Sequence, residues 1–224
     1  MQEVRAAVIG TGSWGASMPD DRRRKGGGIA PDRRGLPQRR GAAVGKRYLP
    51  DTVRVCPNAE ELYAHAEEFD AVLVVTPHKT HPALVMQAFA HGKHVLCDKP
   101  SANALAPALE MNRAAEKSGL VFAMMFHQRR YKKYMRLKKL LDDGALGEIK
   151  RVQLENSRYF RTWMYHRSGS WRSSWAGEGG GALLNQGQHI LDIWQWLFGM
   201  PTSIYAVIPT GSITISWWTM KPPC

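Results

Sequence analysis

The stretch VRAAVIGTGSWG, residues 4–15, decides the fold class of this chain. Val4 to Ile9 is a short, largely apolar run that a glycine cluster ends, which predicts a buried strand. The cluster itself, Gly10 to Gly15, has the pattern G-x-G-x-x-G. Glycines at this spacing allow a tight turn, the close approach of a pyrophosphate to the backbone, and the packing of a following helix on the strand. The stretch therefore predicts the start of a dinucleotide-binding fold, which requires a helix next.

The next segment, residues 16–44, does not supply that helix. It lacks the apolar period of a helix or a strand, and it holds three prolines and eight basic residues against three acidic ones. We interpret it as a disordered loop, with a nucleic-acid-binding arm as an alternative. A third interpretation is a frame error. Shifted by one base, with codons chosen freely, the segment can encode RACPTIAAEKGEASRLTAVVCPSAEAR, in which a helix-like part precedes the strand-like LTAVV.

From residue 59 to residue 125 the pattern alternates between short apolar runs and segments of helical spacing. Predicted strands are Asp70–Val75, His94–Cys97 and Leu120–Met125. Predicted helices are Ala59–Ala66, Pro82–His91 and Ala104–Lys117. This alternation predicts a parallel α/β sheet. Beyond it, the pattern predicts a basic helix at 130–141, a strand at 147–160 from its alternation, and a helix at 182–198. Together they indicate a second α/β domain. The predicted domains are residues 1–122, in which 16–44 is aberrant, and residues 123–224.

Composition excludes several classes of protein. Three cysteines, odd in number and far apart, argue against a disulfide framework and favour a reducing, cytoplasmic setting. No apolar run reaches the ~18–20 residues of a membrane helix, and no Cys-x-x-Cys or His/Cys cluster has the spacing of zinc ligands. The start MQEVRAAVIG has no basic region followed by a long apolar stretch, so we do not expect a secretory signal. The net charge of +12 would suit a nucleic-acid partner. However, no nucleic-acid-binding motif accompanies it, and the seven cations of residues 129–139 are interpreted as a solvated helix face.

Four motifs, in order, carry a resemblance to a known family. They are GTGSWG at 10–15, TPHKTH at 76–81, GKHVLCDKP at 92–100 and GGGALLNQGQHILDIWQWLFG at 179–199. With them, residues 1–15 and 45–211 resemble the Gfo/Idh/MocA family of NAD(P)-dependent oxidoreductases, which act mainly on sugars and cyclitols. The resemblance implies a Rossmann-type parallel sheet, followed by an α/β domain whose open, mainly antiparallel sheet commonly serves oligomerisation.

The chain departs from the family pattern at three places. The family's Glu before Lys-Pro is Asp98, and its usual Asp four residues before the helix histidine is Asn185. The chain also stops before most of the second sheet. Shifted by two bases after Gly211, its tail SITISWWTMKPPC can encode EYHDIMVDDEATV, in which DDEA resembles the family's next strand. We interpret the chain as a frame-disrupted and truncated family member, in which oligomerisation is doubtful.

The resemblance assigns the reacting groups. Lys99 would lie at the nicotinamide end of the cofactor cleft and hydrogen-bond the reacting hydroxyl or help to move its proton; the alternative is a surface lysine that closes a turn. His189 would be the general base, because an imidazole titrates near neutral pH; the alternative is a core histidine. Asn185 can hydrogen-bond substrate but cannot act as a base. Asp192 is interpreted as an orienting or structural residue.

The resemblance also assigns the cofactor-binding residues. The pyrophosphate turn would be formed by Gly10, Gly12, Ser13, Trp14 and Gly15, the ribose–nicotinamide stretch by Thr76, Pro77 and His81, with Asp98 and Gln128 nearby. The acidic residue expected ~20 positions past the glycines is not recognisable, so both NAD and NADP remain open. The expected activity is hydride transfer between a sugar or cyclitol CH–OH and NAD(P). An inactive fragment of the family and a basic nucleic-acid-binding protein are the alternatives.

Overall fold

The computed structural model describes residues 3–10, 29–30, 53–156, 171 and 174–205, and every structural statement below refers to them. The chain divides into two compact units, Met1–Met125 and Phe126–Cys224. The boundary predicted from the sequence, between residues 122 and 123, lies close to this division. Four predicted cofactor residues, Gly12, Ser13, Trp14 and Gly15, lie outside the described residues, as do most of 16–44 and all of 206–224.

The first unit is built on a sheet whose neighbouring strands are all parallel. Its strands are β1 (Ala6–Ile9), β2 (Ile29–Ala30), β3 (Ala71–Val74), β4 (His94–Cys97) and β5 (Phe122–Met124). Their spatial order is β2-β1-β3-β4-β5. The predicted parallel α/β fold is confirmed. The segment 16–44 was interpreted as a disordered loop, but two of its residues form β2. Ile29 pairs with Val8, and Ala30 pairs with Ile9.

Both faces of the central strands are apolar, as parallel sheets require. On one face, alternate residues of β1, β3 and β4 join a single buried cluster with the helices; these residues are Ala7, Ile9, Val72, Val74, Val95 and Cys97. The opposite face carries Val8 and Leu73, with Val53, Val75 and Met125 packed against them. This period of two along each strand fixes the register, since a slip of one residue would exchange the two faces.

Three helices of the first unit begin and end at recognisable signals. They are α1 (Ala59–Tyr63), α2 (His81–Ala90) and α3 (Leu105–Ser118). The Asn58 side chain caps α1 by accepting a hydrogen bond from the Glu61 backbone N at 2.8 Å. Pro82 lies in the first turn of α2, where a missing N–H costs nothing. Gly119, with φ of 67°, ends α3 in the left-handed conformation.

The second unit is helical over its described part. It contains α4 (Lys132–Asp142), α5 (Trp175–Glu178), a π-helix (Leu183–Gly187) and α6 (Gln188–Phe198). The strand predicted for 147–160 is absent over 147–156, and none forms at 201–205. A strand exists only with a hydrogen-bonded neighbour, and no described segment of this unit supplies one. The mainly antiparallel sheet therefore stays a prediction. Within the described ranges, no helix is both long and apolar enough to cross a bilayer.

Candidate functional site

The candidate cofactor site lies at the carboxyl edge of the parallel sheet. Gly10 follows β1, Thr76 and Pro77 follow β3, and Asp98 to Pro100 follow β4. Since the strands run in one direction, their following loops meet at one edge of the sheet. In open α/β sheets, ligands bind in the crevice outside this edge. The structure thus places the residues of the first unit that were predicted to bind the cofactor, where they are described, at the same sheet edge as Lys99.

Gly10 occupies a position that only glycine fits. Its φ is 113°, and an added Cβ would lie 2.6 Å from the backbone oxygen of Val75, the residue after β3. A side chain here would meet both backbone strain and a backbone atom that cannot move aside. The chain leaving β1 therefore passes directly against the chain leaving β3. The role predicted for Gly10 at a pyrophosphate turn stays a prediction.

The loop after β3 is fixed by its own hydroxyls. Thr76 is buried, and the Thr80 hydroxyl lies 2.6 Å from Thr76 Oγ1 and 2.8 Å from the Pro77 oxygen. The short helical turn His78–Thr80 leads directly into α2. These contacts hold the loop in one conformation, so that Thr76 and Pro77 have defined places at the sheet edge.

The loop after β4 carries Lys99. Asp98 N donates to the Val74 oxygen at 2.8 Å, which extends the β3–β4 pairing, and Lys99 N donates to Asp98 Oδ1 at 2.9 Å. The Lys99–Pro100 peptide bond is cis. Lys99 is half-buried. The Asp98 carboxylate therefore acts within the turn, where it fixes the backbone of the predicted catalytic lysine.

His81, the first residue of α2, has no exposed surface. Its Nδ1 lies 2.7 Å from the Pro100 oxygen and its Nε2 lies 2.8 Å from the Thr76 oxygen. Burial lowers the pKa of His81, and the two carbonyls and the charge of Asp98 act against that shift. Both polar atoms of the ring are thus engaged by backbone groups of the two loops.

In the second unit, the predicted base lies on α6. His189 is buried, and Asn185 is buried in the π-helix that immediately precedes α6. Single-turn π-helices of this kind are frequent at functional sites. Gln128, a predicted cofactor residue, lies on the short helical turn His127–Arg130. The structure thus places Gln128, Asn185 and His189 in this unit, whereas the other described site residues belong to the first.

A buried carboxylate orients Asn185. Glu178 is 4% exposed, and Asn185 Nδ2 donates a hydrogen bond to Glu178 Oε1. An ionised carboxylate only accepts hydrogen bonds, so the amide must turn its nitrogen towards Glu178. Ser174 caps the helix that carries Glu178 by accepting from the Gly177 N at 3.1 Å. At Gly177, an added Cβ would lie 2.2 Å from the Trp171 oxygen, so the close passage requires glycine.

Two aromatic rings lie close to His189, and Asp192, on the same helix, pairs with an arginine. The His127 ring centroid lies 4.7 Å from that of His189 at an interplanar angle of 71°, and Phe126 approaches edge-on at 6.3 Å. Asp192 accepts a hydrogen bond from Arg129 Nε at 2.8 Å, and this ion pair raises the pKa of Arg129. The sequence alone named no partner for Asp192, and the structure gives Arg129 as that partner.

Sequence reasoning missed three residues of this unit: His127, Arg129 and Glu178. Glu178 carried a signal, because it is the only acidic residue between Glu155 and Asp192 and it stands directly before the glycine run. Arg129 was grouped with the solvated cations of the basic helix, and only the fold shows that it pairs with Asp192. No sequence pattern distinguishes His127 from an ordinary surface histidine.

Comparisons with known proteins agree with this architecture. A family described as "Oxidoreductase family, NAD-binding Rossmann fold" matches residues 4–126, and the GFO/IDH/MocA C-terminal domain matches residues 134–214. The chain is 32% identical over 162 residues to scyllo-inositol 2-dehydrogenase (NADP(+)) IolW of Bacillus subtilis, which covers 72% of this chain and 43% of that protein. It is 28% identical over 145 residues to levoglucosan dehydrogenase of Pseudarthrobacter phenanthrenivorans, which covers 64% and 36%.

Among solved structures, the WlbA dehydrogenase from Bordetella pertussis, in complex with NADH and UDP-GlcNAcA, is similar in fold. The TM-score is 0.73 at 22% identity, over 88% of this chain and 56% of that one. The chain spans about two fifths of the length of curated relatives that it matches, since three of them are covered to 40%, 42% and 43%. The family match over both units confirms the resemblance drawn from the motifs, and the chain belongs to the Gfo/Idh/MocA oxidoreductase family, with the NAD-binding Rossmann fold in its first unit.

Proposed function

We propose that this chain carries the dinucleotide-binding half, and part of the substrate half, of a dehydrogenase that transfers hydride between a sugar or cyclitol CH–OH and NAD(P). One observation carries the proposal. The loops after β1, β3 and β4 converge at one sheet edge, and there Gly10 leaves no room for a Cβ against Val75. This backbone cradle of Gly10 against Val75 lies at the edge where open α/β sheets bind ligands, and the pyrophosphate of a dinucleotide would meet backbone N–H groups there.

The relatives support the substrate class. Two of those that the chain matches are named for scyllo-inositol and levoglucosan, which are a cyclitol and an anhydrosugar, and the WlbA structure holds a nucleotide-linked sugar. All three ligands offer secondary hydroxyls on a ring. The choice between NAD and NADP stays open.

The bound nicotinamide would supply the hydride acceptor. The Lys99 ammonium would donate a hydrogen bond to the reacting oxygen, where it stabilises the negative charge that develops as the C–H bond breaks. His189 would take the hydroxyl proton, and Asn185 would hold a neighbouring hydroxyl. Asp98 acts through the backbone, because its carboxylate fixes the Lys99 N–H.

Cofactor binding by the purified chain tests the first half of this proposal. We expect NADH or NADPH to raise the melting temperature, because a ligand at 100 times its Kd stabilises the folded state by ~2.7 kcal/mol. No shift with either cofactor, in a chain that melts cooperatively, would contradict the proposal. Salt-sensitive binding to duplex DNA without any cofactor effect would instead favour the nucleic-acid alternative.

Turnover tests the second half. The chain is supplied with NAD and NADP and with scyllo-inositol, levoglucosan and a simple glucoside, and the absorbance of the reduced cofactor is followed. We expect Lys99→Ala to keep cofactor binding and to lose turnover by ~10²–10⁴-fold, the usual contribution of a positioned acid or base. Cofactor binding without any turnover would identify the chain as an inactive fragment. Full turnover in Lys99→Ala would remove Lys99 from the mechanism.

We also propose a cytoplasmic location. Cys56 and Cys97 are buried free thiols, and burial raises the pKa of both. Thiols persist in reducing compartments. Mass measurement of alkylated protein from freshly lysed cells, without added reductant, is expected to find both cysteines unoxidised. A disulfide at either position would contradict the proposal.

A further inference from the structure

The His81 ring bridges two loops of the sheet edge. Its nitrogens lie 2.7 Å from the oxygen of Pro100 in the loop after β4, and 2.8 Å from the oxygen of Thr76 in the loop after β3. The ring has no exposed surface. A single side chain thus joins the loop that carries Lys99 to the loop that carries Thr76, at hydrogen-bonding distance on both sides.

The chemistry of this bridge is unusual for a core histidine. A neutral imidazole has one N–H donor and one acceptor nitrogen, and it is satisfied by one acceptor and one donor. Here both partners are carbonyl oxygens, which only accept. At least one contact is an N–H···O bond, and both are satisfied only when the ring carries two N–H groups. Because burial lowers the pKa of His81, the ring donates to one of the two oxygens and lies against the other at hydrogen-bonding distance.

The bridge acts on Lys99 through one peptide unit. Pro100 follows Lys99 directly, and the Lys99 N–H is already held by Asp98 Oδ1. The backbone on both sides of Lys99 is thus fixed, by Asp98 before it and by His81 after it. On the other loop, the Thr76 oxygen that His81 contacts belongs to the residue whose hydroxyl pairs with Thr80.

We propose that His81 is a positioning residue for Lys99, which binds the Lys99 loop to the Thr76 loop and thereby sets the place and the environment of the Lys99 amine. The importance of that place for catalysis rests on the proposed function. The bridge itself requires neither cofactor nor substrate, because every contact in it lies within the first unit.

The titratable groups around the ring are few. His78, which is buried, has its ring centroid 6.1 Å from that of His81, and the charges of Asp98 and Lys99 also act on the ring. Lys99 is the group whose chemistry reports on the bridge. Lysines away from the bridge serve as references, because a general loosening of the fold would change them together with Lys99.

The amine reactivity of Lys99 tests the proposal. His81→Leu removes both polar contacts, and His81→Gln keeps an amide donor for one carbonyl. Each variant is reductively methylated over a range of pH, and peptide masses give the rate at each lysine. Lys93, whose Nζ donates to the Phe69 oxygen at 3.0 Å, and the exposed Lys117 are the internal references. His91→Gln, just past the other end of α2, is the matched control.

We expect His81→Leu to shift the pH midpoint of Lys99 methylation by about one unit, which is about tenfold in rate below the midpoint. Lys93 and Lys117 should keep their profiles, His81→Gln should restore part of the difference, and His91→Gln should have no effect. An unchanged Lys99 profile in His81→Leu would overturn the proposal. Equal changes at all three lysines would also overturn it, because they would indicate loss of packing alone.

A measurement on the unaltered chain covers the case in which the variants do not fold. Nitrogen-15 spectra of the histidine rings at pH 7 should show a ring N–H of His81 that exchanges slowly with water. Rapid exchange at that ring would overturn the bridge. NADH titration of the same sample separates the two proposals. Without NADH binding the proposed function fails, whereas the lysine profiles still decide the role of His81.

Discussion

In the first unit, side chains fix the candidate site by bonding to backbone groups, whereas in the second unit side chains bond to one another. Around Lys99 and Thr76, the His81 ring lies against two carbonyl oxygens and the Asp98 carboxylate accepts a hydrogen bond from a backbone N–H. In the second unit, the contacts are the Glu178–Asn185 hydrogen bond and the Arg129–Asp192 ion pair. A backbone group is present whatever residue stands at its position, so a contact of the first kind depends on one residue type. A contact of the second kind depends on two residue types, and a change of either one breaks it.

The largest effect is expected at the backbone cradle. Gly10→Ala should lower the free energy of unfolding by about 2–4 kcal/mol, because it combines a φ of 113° with a Cβ 2.6 Å from the Val75 oxygen. Gly92→Ala is the matched control. It also has positive φ, of 66°, but open space around the Cβ, and should cost about 1 kcal/mol. Urea unfolding measures the free energy of unfolding of both variants. Equal losses would show that an added Cβ at residue 10 does not clash with the Val75 backbone.

The next effect is expected at the side-chain pair of the second unit. Asn185→Asp places a second carboxylate against the buried Glu178 and removes the amide donor. We expect the free energy of unfolding at pH 7 to fall by about 1–3 kcal/mol. Urea unfolding at that pH measures the loss. A variant as stable as the parent at pH 7 would show that Glu178 does not orient Asn185.

The His81 bridge should make stability depend on pH. Burial lowers the pKa of His81, so the unfolded chain binds a proton at this group more readily than the folded chain does. The stabilisation is therefore present above the ordinary value of 6.5 and is lost as pH falls below it.

The slope from this one group cannot exceed about 1.4 kcal/mol per pH unit. Comparison of the parent with His81→Leu between pH 8 and pH 5 isolates the contribution of His81 to this slope, since His78, Asp98 and Lys99 are common to both proteins. Stability that rises on acidification only in the parent would mean that the two carbonyl contacts outweigh burial.

The smallest effect is expected at the surface pair Arg5–Asp70. The hydrogen bond from Arg5 lowers the pKa of Asp70 from 3.8 to about 2. Its contribution to stability is present above pH 3.8 and is lost as pH falls towards 2. Because both side chains are about two-fifths exposed, at 43% and 39%, salt should screen most of it. Acid unfolding of Asp70→Asn in low and high salt measures the contribution. A salt-independent difference would contradict this account.

The sequence predicts the parts of the molecule that have periodic patterns. β1, β3, β4 and β5 each lie within a predicted run, because apolar residues at period two and flanking glycines are local signals. The π-helix at Leu183–Gly187 was not predicted, because it arises where one extra residue is accommodated in a helix and leaves no compositional signal. The strand at 147–160 was predicted from alternation alone, and alternation does not supply a neighbouring strand.

The candidate site shows the same limit. Lys99, His81 and Asn185 were singled out by motif, but the contacts that fix them were not, because the Pro100 carbonyl and Glu178 are brought in only by the fold. Hydrogen bonds to backbone carbonyls leave no trace in residue type. Arg129 was misjudged for a related reason, since a cation in a basic run gives no sign of a carboxylate that lies 63 residues further along the chain.

The first unit of this chain is proposed to form a nicotinamide dinucleotide site at the carboxyl edge of its sheet. Calorimetric titration of the 224-residue chain with NADH and with NADPH measures this binding. We predict saturable binding of at least one cofactor at a single site per chain, which Gly10→Ala weakens more than Gly92→Ala does. The absence of binding by a cooperatively folded chain, or equal binding by the two variants, would contradict the claim.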